Sequence, residues 1–133
     1  MFEWKPEYSV QLREIDAQHQ RLFILASDLH VAMSQGKGKT VLEPALARLV
    51  EYTKVHFATE ERLMRRYNYA DSDAHKVQHD ELTARVLDFQ KRFLRQEACL
   101  TIDLMEFLQD WLAHHINGSD QKYSADLRGK GAV

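Results

Sequence analysis

The sequence has little of what marks a secreted, membrane-bound or nucleic-acid-binding protein. Its one cysteine, Cys99, cannot form an intramolecular disulfide, which favours a reducing compartment and predicts a cytoplasmic location. A formal net charge of only −2 gives no electrostatic reason to expect nucleic acid or an anionic membrane surface as a partner. No apolar run is long enough to cross a bilayer, and the charged start, MFEWKPEYSVQLREID, lacks the apolar region of a signal peptide. We therefore expect no membrane insertion.

Helix-breaking residues are also scarce, with two prolines and five glycines in 133 residues, and they occur in clusters. Between the clusters apolar residues recur at helical spacing, and no segment shows the alternation of a strand. We predict helices over residues 15–35, 40–66 and 73–96, and a fourth from about Thr101 after a linker of Glu97, Ala98 and Cys99. The second is predicted to begin in a capping box, TVLE, with Pro44 in its first turn.

Four helices joined by short links favour antiparallel neighbours. The predicted fold class is therefore all-α, an up-down-up-down antiparallel four-helix bundle. Residues 1–15, with Pro6 and three aromatic side chains, are predicted to form an N-terminal arm across the bundle, and residues 121–133 a frayed C-terminal tail. The chain shows no repeat and no interdomain linker, so residues 1–133 are expected to form a single domain.

Histidine is abundant, with seven copies in this short chain. His56 and Glu60 are four residues apart and so face the same side of a helix, as do His75 and His79. His19 borders the apolar stripe of the first helix, where histidine is uncommon. An imidazole in apolar surroundings needs a partner for its polar nitrogens. Several imidazoles from four helices, together with two carboxylates, indicate a metal site inside the bundle.

The two adjacent histidines of HHINGSD, residues 114–120, cannot both face inward. Five residues turn an ideal α-helix by about 500°, which leaves Asp120 about 140° away from His115. A single π-turn at INGS would bring His115 and Asp120 onto one face, and Gly118 would ease it. His114 points about 100° away from His115 and is predicted to be a bystander.

Two further side chains of the first helix have alternative roles. His30 lies eleven residues after His19 on the same helical stripe, and we interpret it as a satisfied structural histidine, with a hydrogen-bond donor to the site as the alternative. Asp16 either accepts the second ring N–H of His19 or serves as a carboxylate at the helix start.

The candidate metal ligands are imidazoles and carboxylates, without thiolate: His19, His56, Glu60, His75, His79, His115 and Asp120. Seven ligands exceed the four of a structural zinc site and suit two metal ions that share bridging carboxylates. Such ligands accept iron, manganese or zinc, and the residue types alone do not choose among them. The ferritin-like carboxylate oxidases are disfavoured because the chain contains no Glu-x-x-His.

In order along the chain, the segments IDAQHQRLF, HFATEERLM, HKVQH and WLAHHINGSDQKY resemble the hemerythrins, specifically the single-domain bacterial form. The resemblance covers nearly the whole chain and implies two iron ions with an oxo or hydroxo bridge. The resemblance implies that one iron is held by His75, His79 and His115, and the other by His19 and His56. It also implies that Glu60 and Asp120 bridge the two irons. One open position then remains, on the second iron, where dioxygen would bind reversibly.

The resemblance also implies a dry apolar pocket beside the open position. Its candidate lining residues are Leu22, Phe57, Trp111, Leu112 and Ile116. The implied function is that of a dioxygen carrier, store or buffer, and not that of an enzyme. The alternative functions are an oxygen or redox sensor, a di-iron enzyme that handles peroxide or nitric oxide, and simple iron binding or detoxification.

Overall fold

Helices dominate the structure, a computed structural model that describes residues 2–95 and 102–133. In chain order they are α1 (Arg13–Ser34), α2 (Lys39–Arg66), α3 (Ser72–Leu94), α4 (Ile102–His115) and α5 (Gln121–Gly129). A π-helical segment, Ile116–Asp120, joins α4 to α5, and a short 3₁₀ turn, Pro6–Tyr8, precedes α1. These residue ranges contain no strand, and none of their helices is long and apolar enough to cross a bilayer.

The direction of the first four helices alternates. The candidate ligands lie in the first half of α1 and of α3, but in the second half of α2 and at the end of α4, and they meet in space. At the opposite end of the bundle, the Lys39 ammonium at the start of α2 donates to the Leu94 carbonyl at the end of α3 across 3.1 Å. The up-down-up-down bundle predicted from the sequence is therefore confirmed.

Two buried apolar clusters lie on either side of the candidate ligands along the helices. The smaller cluster consists of Val10, Leu12, Ile15, Met64, Tyr69, Tyr123 and Leu127, and the larger one holds most of the remaining core. On α1, His19 lies between Ile15 of the smaller cluster and Leu22 of the larger. The apolar periodicity that stabilises the helices thus also keeps water away from both sides of the polar centre.

The C-terminal segment departs most from the prediction. The prediction of a frayed tail over residues 121–133 is wrong, because Gln121–Gly129 is helical and both Tyr123 and Leu127 are fully buried. Only these two large apolar residues mark the buried face, so the periodic signal is short. Their partners include Val10 and Leu12, more than a hundred residues earlier in the chain.

The start of α2 also differs from the prediction. The capping box is wrong, because α2 begins at Lys39 after Gly38 and already includes Thr40. The Glu43 carboxylate pairs with the Lys39 ammonium at 3.1 Å instead of capping the helix. Pro44 therefore lies in the second turn of α2 and not in the first. Because proline has no N–H, the Thr40 carbonyl lacks its usual helical donor.

The remaining helix limits agree with the prediction to within two residues where the structure describes them. The first helix begins at Arg13 and ends at Ser34, and the third spans Ser72–Leu94. The predicted linker of Glu97, Ala98 and Cys99, and the predicted helix start near Thr101, lie outside the described residues.

The residues that precede α1 pack against the bundle. Phe2, Tyr8, Val10 and Leu12 are buried, and the Tyr8 ring stacks on Phe23 with 5.3 Å between ring centroids. This arm adds aromatic surface to the core along α1.

Asp16 ties the arm to the start of α1. Its carboxylate accepts hydrogen bonds from the Ser9 hydroxyl at 2.5 Å and the Val10 amide at 2.8 Å. Among the described residues, Nδ1 of His19 has no hydrogen-bond partner. Of the two roles predicted for Asp16, the carboxylate at the helix start is therefore correct, and the hydrogen bond to His19 is wrong.

Candidate metal centre

The seven candidate ligands lie together in the interior of the bundle, and none is more than 6% exposed. They form two groups whose donor atoms lie within 4.8 Å of one another in each group. The larger group contains Glu60, His75, His79, His115 and Asp120, and the smaller contains His19, His56, Glu60 and Asp120. Both carboxylates belong to both groups, as bridging ligands would.

Regular helical spacing aligns the candidate ligands of α2 and α3. His56 and Glu60 are one turn apart, with 2.8 Å between Nε2 and Oε1. His75 and His79 are also one turn apart, and their rings meet edge to face with 4.6 Å between centroids. The pairing predicted from the four-residue spacing is confirmed on both helices.

The predicted π-turn between His115 and Asp120 is also confirmed. The segment Ile116–Asp120 is π-helical, and its longer turn offsets the five-residue spacing, so His115 Nε2 lies 3.0 Å from Asp120 Oδ1. Gly118 is not required for this turn. Its φ is not in the left-handed region, and a Cβ atom there would meet no atom within 4 Å.

Most buried polar atoms of the cluster face one another without forming hydrogen bonds. Asp120 places Oδ2 3.1 Å from His19 Nε2 and Oδ1 3.0 Å from His75 Nε2. Among the described residues, these nitrogens, His56 Nε2 and all four oxygens of Glu60 and Asp120 have no hydrogen-bond partner. Buried polar atoms left unpaired are costly, whereas nitrogen and oxygen lone pairs that converge suit metal ions. The residues present therefore fit a pair of metal ions.

The neighbouring imidazoles shift the pKa values of both carboxylates of the cluster. Burial and the charge of Asp120 act to raise the pKa of Glu60, but the contacts with His56 and His79 outweigh them and lower it to about 2. Burial opposes ionisation of Asp120 too, but the close histidines, His115 foremost, hold its pKa well below its usual range. Both side chains are thus carboxylates at neutral pH, the form that binds metal.

For His19 the two influences also oppose each other. Burial by itself lowers the pKa of His19, but the nearby carboxylate of Asp120 outweighs burial and raises it. Metal binding requires the neutral imidazole, so the raised pKa of His19 makes protonation of this ring compete more strongly with metal binding than it would at an ordinary histidine.

Three candidate ligands have their outer ring nitrogen hydrogen-bonded by a residue of the preceding helix. His56 donates from Nδ1 to Gln18 Oε1 at 2.7 Å. His79 donates to Glu61 Oε2 at 2.9 Å, and His115 donates to Gln78 Oε1 at 3.1 Å. Such bonds fix the ring orientation and direct the Nε2 lone pair inward.

These three acceptors were not predicted from the sequence. Gln18, Glu61 and Gln78 each adjoin a candidate ligand in sequence, and that adjacency was the available signal. Each one serves a histidine on the next helix, however, and that pairing depends on how the helices pack.

Tyr123 is another side chain of the site that sequence analysis missed. It is fully buried, and its ring meets His75 edge to face with 5.1 Å between centroids. Burial and then the charges of Glu60 and Asp120 raise the pKa of Tyr123 well above its ordinary value, so the hydroxyl stays protonated beside them. The predicted tail excluded Tyr123, although its spacing of three residues from Asp120 fits a continuing helix.

The five predicted pocket residues belong to the apolar surroundings of the cluster. Leu22, Phe57, Leu112 and Ile116 are buried in the larger apolar cluster, and Trp111 is half-buried against it. Phe57 stacks on the ring of His79 with 3.8 Å between centroids and 4° between planes. Trp111 stacks on His115 at 4.4 Å and 16°, and it also lines a surface cleft of about 440 Å³.

The remaining two histidines lie outside both candidate donor groups. His114 is exposed and donates from Nδ1 to the Asp110 carbonyl at 2.7 Å, so the prediction of a bystander is confirmed. His30 is half-buried and packs edge to face against Phe2, with 6.4 Å between ring centroids. This position supports the structural interpretation of His30, away from the site.

A four-helix bundle with imidazole and carboxylate groups converging in its interior defines the class of di-metal bundle proteins. Within this class, residues 10–127 match the model of the hemerythrin HHE cation binding domain. The chain belongs to the hemerythrin family, so the resemblance noted in the sequence is confirmed, and with it the di-iron cofactor.

Individual relatives span nearly the whole chain. The bacteriohemerythrin of Methylococcus capsulatus is 34% identical over 121 residues, which are 91% of this chain and 92% of that protein. The hemerythrin-like protein of Naegleria gruberi is 30% identical over 126 residues, 95% of this chain and 93% of that protein. A crystal structure of wild-type hemerythrin has a TM-score of 0.87 at 33% identity and covers 94% of this chain and 96% of its own.

Proposed function

We propose that this protein binds dioxygen reversibly at a di-iron centre and acts as an oxygen carrier, store or buffer. The observation that carries the proposal is the pair of buried donor groups that share Glu60 and Asp120. Converging donors without hydrogen-bond partners require an occupant, and imidazole and carboxylate ligands accept iron.

In this proposal, each histidine serves one iron, and the two carboxylates serve both. His75, His79 and His115 hold one iron, and His19 and His56 hold the other. Once bound, the ferrous pair supplies the electrons for reversible dioxygen binding. The smaller group offers four protein ligands and the larger offers five, so we assign the open position for dioxygen to the side of His19 and His56.

The apolar side chains around the cluster would keep the open position dry. We propose Leu22, Phe57, Trp111, Leu112 and Ile116 as the pocket. Water or an anion that entered would give up hydrogen bonds that these side chains cannot replace. Exclusion of both would favour release of dioxygen in its original form over irreversible oxidation of the centre.

We propose a binding role and not a catalytic one. The relatives bear the names bacteriohemerythrin and hemerythrin-like protein, and none of the proposed pocket residues carries a titratable group. A cytoplasmic location is also proposed, on the single cysteine.

Iron analysis and oxygen titration test this function. Protein expressed in iron-replete medium should contain close to two irons per chain. After anaerobic reduction, oxygen should produce a new absorption spectrum that disappears on degassing. One zinc per chain without iron would refute the di-iron centre, and steady consumption of oxygen would favour an enzyme over a carrier.

A further inference from the structure

The outer nitrogens of three candidate ligand histidines meet acceptors of two chemical kinds. His56 and His115 donate to neutral amide oxygens, those of Gln18 and Gln78. His79 donates to a carboxylate oxygen of Glu61 at 2.9 Å. Within the described residues, His79 is the one candidate ligand histidine whose Nδ1 has a carboxylate partner. The larger donor group therefore has an additional negative charge beside it, and the smaller group does not.

The contact between His79 and Glu61 is well held. Phe57 stacks flat on the His79 ring, which fixes the ring plane and keeps Nδ1 directed at Glu61. The side chain of Glu61 is only 14% exposed. By contrast, the Gln78 oxygen that accepts from His115 also accepts from the Ser119 hydroxyl at 2.7 Å, so its acceptor strength is divided.

A carboxylate acceptor affects an imidazole more strongly than an amide does. Hydrogen bonds to ionised groups are about twice as strong as those between neutral groups. The carboxylate draws the Nδ1 proton away from the ring, which raises the basicity of Nε2. A more basic nitrogen ligand stabilises the higher oxidation state of the ion that it holds.

We propose that Glu61 makes the two iron sites unequal by lowering the reduction potential of the iron held by His79. Glu61 is a positioning and tuning residue, because it acts through the His79 ring and touches neither iron nor dioxygen. This inference rests on the proposed di-iron function. It places the greater tendency to oxidise on the side of His75, His79 and His115, opposite the proposed open position.

The test uses the iron-loaded full-length chain and the variant Glu61→Gln, which retains an acceptor oxygen but loses the charge. Glu81→Gln is the matched control, since it removes the same charge from an exposed residue two positions after His79. Spectroelectrochemical titration measures the reduction midpoints, and competition with a chelator measures how readily iron is lost. We expect Glu61→Gln to keep two irons, shift one midpoint to a more positive potential and release one iron about tenfold more readily.

Several outcomes overturn the inference. Equal midpoints in Glu61→Gln and the parent, or an equal shift in Glu81→Gln, would show that this hydrogen bond does not tune the potential. Loss of iron in Glu61→Ala together with unchanged midpoints in Glu61→Gln would show that Glu61 only orients His79. A parent protein with two irons and no Glu61 effect refutes this inference alone, whereas a parent that binds no iron pair refutes the proposed function and the inference with it.

Discussion

Two helices each place a histidine and, one turn later, a carboxylate in the metal centre, but their backbones do so differently. On α2, His56 and Glu60 are four residues apart in a regular α-helix. Where α4 passes into α5, His115 and Asp120 are five residues apart and are aligned by the π-helical segment. The same chemical result is reached with one additional residue, so what the site requires is a shared face and not a fixed spacing.

The additional residue also sets the register of everything that follows it. Tyr123 and Leu127 of α5 enter the smaller apolar cluster because the π-turn rotates α5 with Asp120. On α2, Met64 follows Glu60 by one regular turn and enters the same cluster. In both places the carboxylate and the apolar residue one turn beyond it lie on the same helix face, so a change of register would displace both.

Single-residue deletions in α2 and in the π-helical segment should give the largest difference in iron content. Deleting Asn117 should convert the π-turn into α-helix and leave His115 four residues from Asp120, the spacing found on α2. Iron content and helicity should therefore remain close to those of the parent. Deleting the exposed Ala58 between His56 and Glu60 should rotate Glu60 by about 100° and abolish iron binding.

Iron analysis and far-UV circular dichroism measure both deletions. Equal loss of iron in the two variants would mean that the π-turn itself, and not only the face that it creates, is needed by the site.

Substitution of the two adjacent histidines should give the next largest effect. His115→Ala should lose at least one iron and the oxygen-dependent spectrum, because His115 belongs to the larger donor group. His114→Ala should leave both largely intact, because its ring is exposed and bonded to the Asp110 carbonyl. Iron analysis and absorption spectra would contradict the assignment if both variants lost iron to the same extent.

An aromatic residue lies one turn before His115 and another lies one turn before His56. Replacement should have a moderate effect on the oxygen-bound protein only for the residue that precedes His115. Trp111 stacks on His115, so Trp111→Phe should keep both irons but shorten the lifetime of the oxygen-bound protein and speed azide binding to the oxidised protein. Tyr52 precedes His56 by one turn and is half-buried, and Tyr52→Phe is the matched control. Autoxidation and azide-binding rates equal to the parent's would remove Trp111 from the pocket.

Substitution of Gly118 should have the smallest effect, and it should be favourable. Its backbone does not require glycine, and a Cβ atom meets no neighbour, so Gly118→Ala should raise the free energy of unfolding by about 0.5–1 kcal/mol. Gly36→Ala should lower it, because Gly36 has a φ of +68°. Urea unfolding of both variants measures the difference, and a destabilised Gly118→Ala would show that the π-turn depends on glycine.

The sequence by itself determined the first four helices, their alternating direction and the candidate ligands that meet in the interior of the bundle. Periodic apolar residues predict helices because burial of one face stabilises them, and four-residue spacing places His56 with Glu60 and His75 with His79. Even the π-turn could be predicted, because two polar side chains five residues apart in an apolar environment can share a face only if the helix is locally wider.

Only the tertiary structure decided what depends on contacts between distant segments. Gln18, Glu61 and Gln78 became partners of His56, His79 and His115 because each faces the next helix, and no local pattern encodes that pairing. The ordered helix α5 likewise depends on Val10 and Leu12 of the arm. Two large apolar residues in nine are too few to stabilise an isolated helix, so α5 is stable only when it packs against the surface that covers them.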